Sequence, residues 1–88
     1  MAINYKKDSE ILKAIAHPVR LRMAQWLSCD ECNVNKIVDK LGIPQSTISQ
    51  HLAILRKAGV ITFRKEGVKT CYKVTDKKIK EIIDILNK

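Results

Sequence analysis

The sequence predicts a mainly α-helical domain with one small β-hairpin in a chain of 88 residues. Apolar residues recur at helical spacing in four successive segments, change to the alternation of strands after Gly59, and return to helical spacing near the end. Hydrophobic residues make up 45% of the chain, without low-complexity segments, which predicts a packed core. We therefore expect residues 1–88 to form a single domain with about five helices.

Two short helices are predicted in the first third of the chain. Asp8 and Ser9 can cap a helix over residues 8–16, whose apolar side is Ile11, Leu12 and Ile15. The dipeptide His17-Pro18 ends this helix, and Pro18 suits the first turn of a second helix that extends to about Ser28. Residues 29–32 then have the composition of a polar turn.

A third and a fourth helix follow, joined by a short turn. Asn33 can cap the third helix, whose apolar residues are spaced i, i+3, i+4, i+7: Val34, Ile37, Val38 and Leu41. Gly42 is placed to take a left-handed conformation after this helix, and Pro44 can open the next one. The fourth helix runs from about Gln45 to Ala58 and is ended by Gly59.

The fourth helix has two contrasting faces. Ile48, Leu52 and Leu55 fall in one narrow sector and are expected to face the core. The opposite face is small, uncharged and rich in hydrogen-bonding groups, with Thr47 on its flank: Ser46, Ser49, Gln50 and Ala53. An ordinary solvated face would more often carry Glu and Lys, so this face is a candidate recognition surface.

A hairpin and a last helix complete the chain. Residues 60–64 and 70–74 alternate as two strands, joined through residues 65–69 with a basic tip. The last helix is expected over residues 76–87, with an unusually broad apolar stripe: Ile79, Ile82, Ile83, Ile85 and Leu86. A lone domain of this size has little left with which to cover that stripe, which favours a dimer.

The net charge of +8 is concentrated in one part of the chain. Residues 41–73 contain six bases and one acid, whereas the segments before and after them are close to balanced. A clustered positive charge is typical of a surface that meets phosphates.

Two helices joined by a Gly-containing turn predict a helix-turn-helix over residues 33–58, and the basic hairpin over residues 60–74 makes it winged. The helix that starts near Gln45 is then expected to enter the major groove of double-stranded DNA. The residues expected to meet the major groove are Ser46, Thr47, Ser49 and Gln50, and Gln45 at the start of the helix is a further candidate DNA-binding residue. The residues expected to contact the DNA backbone are Arg56, Arg64, Lys65 and Lys69. The last three belong to the wing and are expected at the backbone or in the adjacent minor groove.

Three segments carry a resemblance to a known family. Residues 12–21 (LKAIAHPVRL), 41–60 (LGIPQSTISQHLAILRKAGV) and the wing residues 64–67 and 71–74 are similar to the corresponding motifs of ArsR/SmtB-type metalloregulatory repressors. The resemblance covers nearly the whole chain. It implies a homodimer through the helices at residues 8–16 and 76–87, an inverted-repeat operator, and repression that a ligand or chemical signal relieves.

The sensing sites of that family are missing or displaced. The last helix has no His, which one class of metal site requires, and Asn33 and Asn35 stand where another class has a Cys-x-Cys pair. Three cysteines lie elsewhere, and they are candidate thiol sensors: Cys29, Cys32 and Cys71. An odd number of cysteines also argues against a closed secreted disulfide framework.

Four interpretations of the cysteines remain open. Cys29 and Cys32 have Cys-x-x-Cys spacing, which can form a redox or reactive-sulfur switch or hold a thiophilic metal or arsenite. A structural zinc site shared with a partner is the third, although two thiolates are an incomplete ligand set. In the fourth, Cys32 packs in the core and Cys29 has no role. No cofactor is certain, and a thiol-bound metal or metalloid is the one that these residues allow.

Other classes of protein are disfavoured. No segment has the length and apolarity of a membrane span or of a signal peptide, so we expect a cytoplasmic protein without a membrane partner. Paired carboxylates, a Gly-rich phosphate loop and a triad spacing are absent from the sequence, which argues against an enzyme with a small-molecule substrate. His17 and His51 are interpreted as structural hydrogen-bonding residues. The alternative function is a winged-helix module that binds protein and not DNA.

Overall fold

The computed structural model describes residues 2–88, which form five helices and three short strands. In chain order these are α1 (Tyr5–Ile15), α2 (Pro18–Cys29), β1 (Cys32–Asn33), α3 (Val34–Leu41), α4 (Gln45–Lys57), β2 (Thr62–Glu66), β3 (Lys69–Lys73) and α5 (Lys77–Leu86). Within residues 2–88, no helix is both long and apolar enough to cross a membrane.

Side-chain caps set the starts of most helices. The Asn33 side chain accepts a hydrogen bond from the backbone N–H of Lys36, and the side chain of Asp76 caps α5 in the same manner. The predicted start of the first helix was wrong: α1 begins at Tyr5 because Asn4 caps it, accepting from the backbone N–H of Lys7. Asp8 instead lies within the first turn, where its carboxylate accepts from the backbone N–H of Asn4.

The turn between α3 and α4 matches its prediction. Gly42 ends α3 with φ of 67°, a left-handed conformation that L side chains rarely adopt. Its N–H donates to the carbonyl of Val38, and α4 then begins directly after Pro44. This tight connection fixes the angle between α3 and α4, which are the two helices of the helix-turn-helix.

The wing is a three-stranded antiparallel sheet in the order β1-β3-β2, and the expectation of two strands was wrong. Residues 32 and 33 pair with residues 72 and 71 of β3, so the predicted polar turn contributes a short edge strand. The hairpin is also longer than expected, because Glu66 pairs with Lys69 and only Gly67 and Val68 form the turn. Gly67 has φ of 64° while Val68 has no positive φ, as in a type II′ turn with glycine first.

One hydrophobic core connects all five helices with the base of the wing. Its fully buried side chains come from α2, α3, α4 and α5 and from the segments flanking the wing; the largest are Met23, Leu27, Ile37, Ile48, Leu55 and Ile79. The predicted core sector of α4 is confirmed, since Ile48, Leu52 and Leu55 are at most 3% exposed. The core therefore holds α4 with its opposite, polar face toward solvent.

Candidate nucleic-acid interface

The face of α4 opposite the core is open to solvent. Four of its residues are exposed: Gln45, Ser46, Ser49 and Gln50. Thr47, on the flank of this face, is partly exposed. Their side chains offer hydroxyls and amides that can donate to and accept from base edges. The residues predicted to meet the major groove therefore lie together on a single accessible surface.

The two flanks of this face meet different parts of the fold. At 100° per residue, Ser49 and Arg56 lie on one flank, whereas Thr47, His51 and Ile54 lie on the other. Ser49 and Arg56 border a groove that Tyr72 of β3 also lines, so this flank faces the wing. His51 contacts residues at the start of α2. We call these sides the wing flank (Arg56, Phe63, Lys65, Tyr72) and the α2 flank (His17, Arg20, His51).

Aromatic contacts attach the wing to α4. The guanidinium of Arg56 lies over the ring of Phe63, 4.4 Å from its centre, and the centres of the Phe63 and Tyr72 rings are 6.2 Å apart. Phe63 and Tyr72 are paired across β2 and β3, and Lys65 belongs to the same face of the sheet. Arg56 is therefore held in place by the wing, while its charge stays at the solvent-exposed edge of the recognition face.

Arg64 lies on the other face of the sheet and is engaged by two carboxylates. Its Nε and Nη2 donate to the two oxygens of Glu31, each at 2.8 Å, and Nη1 donates to Glu66. The hydrogen bond to Glu31, followed by that to Glu66, raises the pKa of Arg64. The pKa of Glu31 is in turn lowered, mainly by its hydrogen bond to Arg64. The charge of Arg64 is thus locally offset, which no local pattern predicts because Glu31 is 33 residues away in the sequence.

Lys65 and Lys69 are the unpaired bases of the wing tip. Both are exposed, and neither makes an ion pair within 4.0 Å to a carboxylate of residues 2–88. Lys65 pairs in register with Thr70, and Lys69 with Glu66, which places the two ammonium groups on opposite faces of the hairpin. Among the predicted backbone-contacting residues of the wing, these two have the least competition for a phosphate.

The α2 flank brings together two histidines and an arginine that lie far apart in the sequence. His17 caps α2 through Nδ1, which accepts from the backbone N–H of Val19 at 3.1 Å. Its ring lies 4.8 Å from the ring of His51, centre to centre. Burial lowers the pKa of His51, and the nearby His17 and Arg20 lower it further. These contacts agree with a hydrogen-bonding role for both histidines.

The three cysteines do not converge. Cys29 is exposed at the end of α2, whereas Cys32 is 1% exposed and belongs to the core. Cys32 pairs with Tyr72, and Cys71 pairs with Asn33, so the thiols of Cys32 and Cys71 point to opposite faces of the sheet. Burial raises the pKa of Cys32, as does the neighbouring Asp30. Within residues 2–88, no group of three or more His, Cys, Asp or Glu residues is arranged to hold a metal ion.

The fold and the exposed face of α4 define a winged helix-turn-helix protein of the DNA-binding class. A family model described as "Bacterial regulatory protein, arsR family" matches residues 17–62, which is more than half of the chain. The chain belongs to this family of transcriptional regulators.

Individual relatives agree with this assignment over nearly their full length. An uncharacterized HTH-type transcriptional regulator of Methanocaldococcus jannaschii is 44% identical over 84 residues, covering 94% of each chain. The crystal structure of the transcriptional repressor PagR of Bacillus anthracis matches with a TM-score of 0.87 and 37% identity, covering 94% of this chain and 95% of that one. The structure of HlyU from Vibrio cholerae matches with a TM-score of 0.90 and 34% identity, covering 99% and 95%. HlyU is named a transcriptional activator.

Proposed function

We propose that this protein is a homodimeric transcriptional repressor that binds an inverted-repeat operator in double-stranded DNA. The observation that carries this proposal is the exposed, uncharged recognition face of α4 beside a wing whose Lys65 and Lys69 make no ion pair with a carboxylate of residues 2–88. Polar side chains on the face suit base edges, and the wing lysines suit phosphates. PagR, a relative with a closely similar structure, is named a repressor. Because its target is promoter DNA, the protein acts in the cytoplasm.

The dimer is supported by apolar surface on the two terminal helices. Leu12 of α1 and Ile85 and Leu86 of α5 are 51–66% exposed. The starts of the two helices are joined by an ion pair, since Lys78 Nζ of α5 is 3.3 Å from the Asp8 carboxylate of α1. Large apolar side chains left exposed on the terminal helices are typical of an interface. A second copy covering it would also place two α4 helices for the two halves of an inverted repeat.

DNA binding and dimerisation are tested by two measurements. Fluorescence anisotropy with a duplex from the promoter of the protein's own gene should show saturable binding that weakens steeply with salt. Sedimentation at micromolar concentration should give twice the mass of one chain. The protein-interaction alternative instead expects no change in anisotropy with any duplex, and a monomeric mass would refute the dimer.

For the cysteines, we propose that Cys32 is a core residue and that Cys29 and Cys71 do not form a shared sensor with it. Its 1% exposure and raised pKa both oppose thiolate chemistry at Cys32. The expected result is that thiol oxidants, arsenite, cadmium and zinc leave the operator affinity of the wild-type protein unchanged. An inducing effect of one reagent that is lost in the Cys29→Ser, Cys32→Ser double variant would overturn this and restore the thiol switch.

A further inference from the structure

Arg20 joins three helices at the α2 flank. Its Nε donates to the carbonyl of Ala14 near the end of α1 at 2.6 Å, and its Nη1 lies 3.4 Å from Nδ1 of His51 on α4. The side chain is partly buried, and its backbone belongs to the first turn of α2. Its head group is therefore fixed in direction by two neutral acceptors.

This fixed guanidinium has no anionic partner among the residues that the structure describes. Within residues 2–88, the ion pairs within 4.0 Å are those of Arg64 and of Lys78, and neither includes Arg20. A partly buried positive charge without a counter-charge lowers the stability of the folded protein. A second positive charge nearby, here that of Lys57 in the same groove, lowers it further. The arrangement favours an anion supplied from outside the chain.

Arg20 also borders a groove of about 420 Å³ between α1 and the C-terminal half of α4. Three bases and one acid line this groove, with an apolar floor: Lys13, Arg20, Lys57, Glu10, Ala14, Ile54 and Ala58. The excess of two positive charges, together with the unpaired Arg20, complements a negatively charged group. Lys57 and Ile54 place one wall of the groove on α4 itself, beside the exposed recognition face.

The geometry of duplex DNA indicates which anion this is. The major groove is about 12 Å wide, so a helix inserted in it has a phosphate strand on each side. In the proposed complex the wing meets one strand, through Lys65 on the wing flank and Lys69 on the opposite face of the hairpin. The opposite strand lies on the α2 flank, where Arg20 contacts His51 of α4 and lines the same groove as Lys57, the last residue of α4.

We propose that Arg20 and Lys57 bind a backbone phosphate of the operator on the side of α4 away from the wing. This inference rests on the proposed DNA binding and adds to it a second anchoring site, formed by residues outside the wing. Arg20 binds through its planar guanidinium, already oriented by Ala14 and His51. Lys57 adds a mobile charge at the rim of the groove.

The test measures operator affinity as a function of salt for single variants. Arg20→Gln and Lys57→Gln should each weaken binding to operator and to unrelated duplex by similar factors, roughly tenfold for Arg20. Each should also reduce the slope of log affinity against log salt by about 0.9. Arg22→Gln is the matched control, because Arg22 is an exposed residue of the same helix that lines a different groove, between α2 and α3.

Controls separate contact with DNA from folding. Thermal unfolding followed by circular dichroism shows whether Arg20→Gln has lost stability, and Lys57→Gln tests the same groove at an exposed position. Weaker binding with an unchanged salt slope in both variants would mean that these residues only position α4, and would overturn the inference. If wild-type protein binds the operator and Arg20→Gln and Arg22→Gln behave alike, the second anchor is refuted while the proposed function stands. Failure of the wild-type protein to bind any duplex would refute both.

Discussion

The two flanks of α4 carry positive charge in different ways. On the wing side, Arg56 lies over an aromatic ring, and Arg64, on the far face of the sheet, is bound by Glu31 and Glu66. On the α2 side, the partners of Arg20 within residues 2–88 are a carbonyl and a histidine. The wing has more bases in sequence, but part of its charge is offset within the protein. The comparison shows that the number of bases in a segment is a poor measure of the charge it can offer to a phosphate.

The largest expected effect comes from removing one anchor on each side. The Arg20→Gln, Lys65→Gln double variant should bind operator roughly 100-fold more weakly than wild type, close to the product of the single effects. Its salt slope should fall by about 1.8, because one phosphate contact is lost on each strand. Anisotropy titrations at several salt concentrations provide both values. A double variant no weaker than Lys65→Gln alone would show that the α2 flank does not meet DNA.

Gln50→Ala tests the face between the flanks. Loss of an amide that bonds a base edge should cost ~1–3 kcal/mol on the preferred operator. Binding to unrelated duplex and the salt slope should remain close to wild type, because no charge is removed. Competition between operator and a scrambled duplex measures the difference. Equal losses on both duplexes would contradict the division between base-reading and anchoring residues.

Glu31→Gln should strengthen DNA binding and not weaken it. The substitution removes the carboxylate that accepts two hydrogen bonds from Arg64, so a larger share of that charge becomes available to DNA. We expect a rise in affinity of about threefold for operator and unrelated duplex alike, with a steeper salt slope. Asp39→Asn, which likewise removes one carboxylate but at an exposed position of α3 that makes no ion pair within residues 2–88, is the control for net charge. Equal gains in both variants would assign the effect to net charge alone.

The smallest effect concerns the stability of the α2 flank at mildly acidic pH. The pKa of His51 in the folded protein lies below its ordinary value of 6.5, so the unfolded chain binds more protons just below that pH. The free energy of unfolding should therefore fall as the pH drops below 6.5. In His51→Gln this fall should be smaller, while Gln50→Ala, one residue away, should keep the wild-type dependence. Urea unfolding between pH 5 and 8 tests this, and identical pH dependence in wild type and His51→Gln would contradict it.

Much of the fold could be predicted because its signals are local. The stripe of α3, the glycine after it and the core sector of α4 each depend on residues a few positions apart, and all three predictions are confirmed. The third strand could not be predicted in this way. Residues 32 and 33 pair with residues 72 and 71, and a two-residue strand has no periodicity of its own. Its signal depends on chain segments that meet only after folding.

The sequence by itself determined the order of the five helices and the hairpin, and its motifs indicated the family. It also determined the polar face of α4, because spacing along one helix fixes which side chains share a face. Only the tertiary structure decided which charges are already paired. Arg64 is engaged by Glu31 from a distant segment, whereas Arg20 is placed beside His51 without a carboxylate. The same holds for Cys32 and Cys71, whose strands are neighbours but whose thiols face opposite sides of the sheet. The physical reason is that electrostatic partners are chosen by proximity in space, which no local pattern encodes.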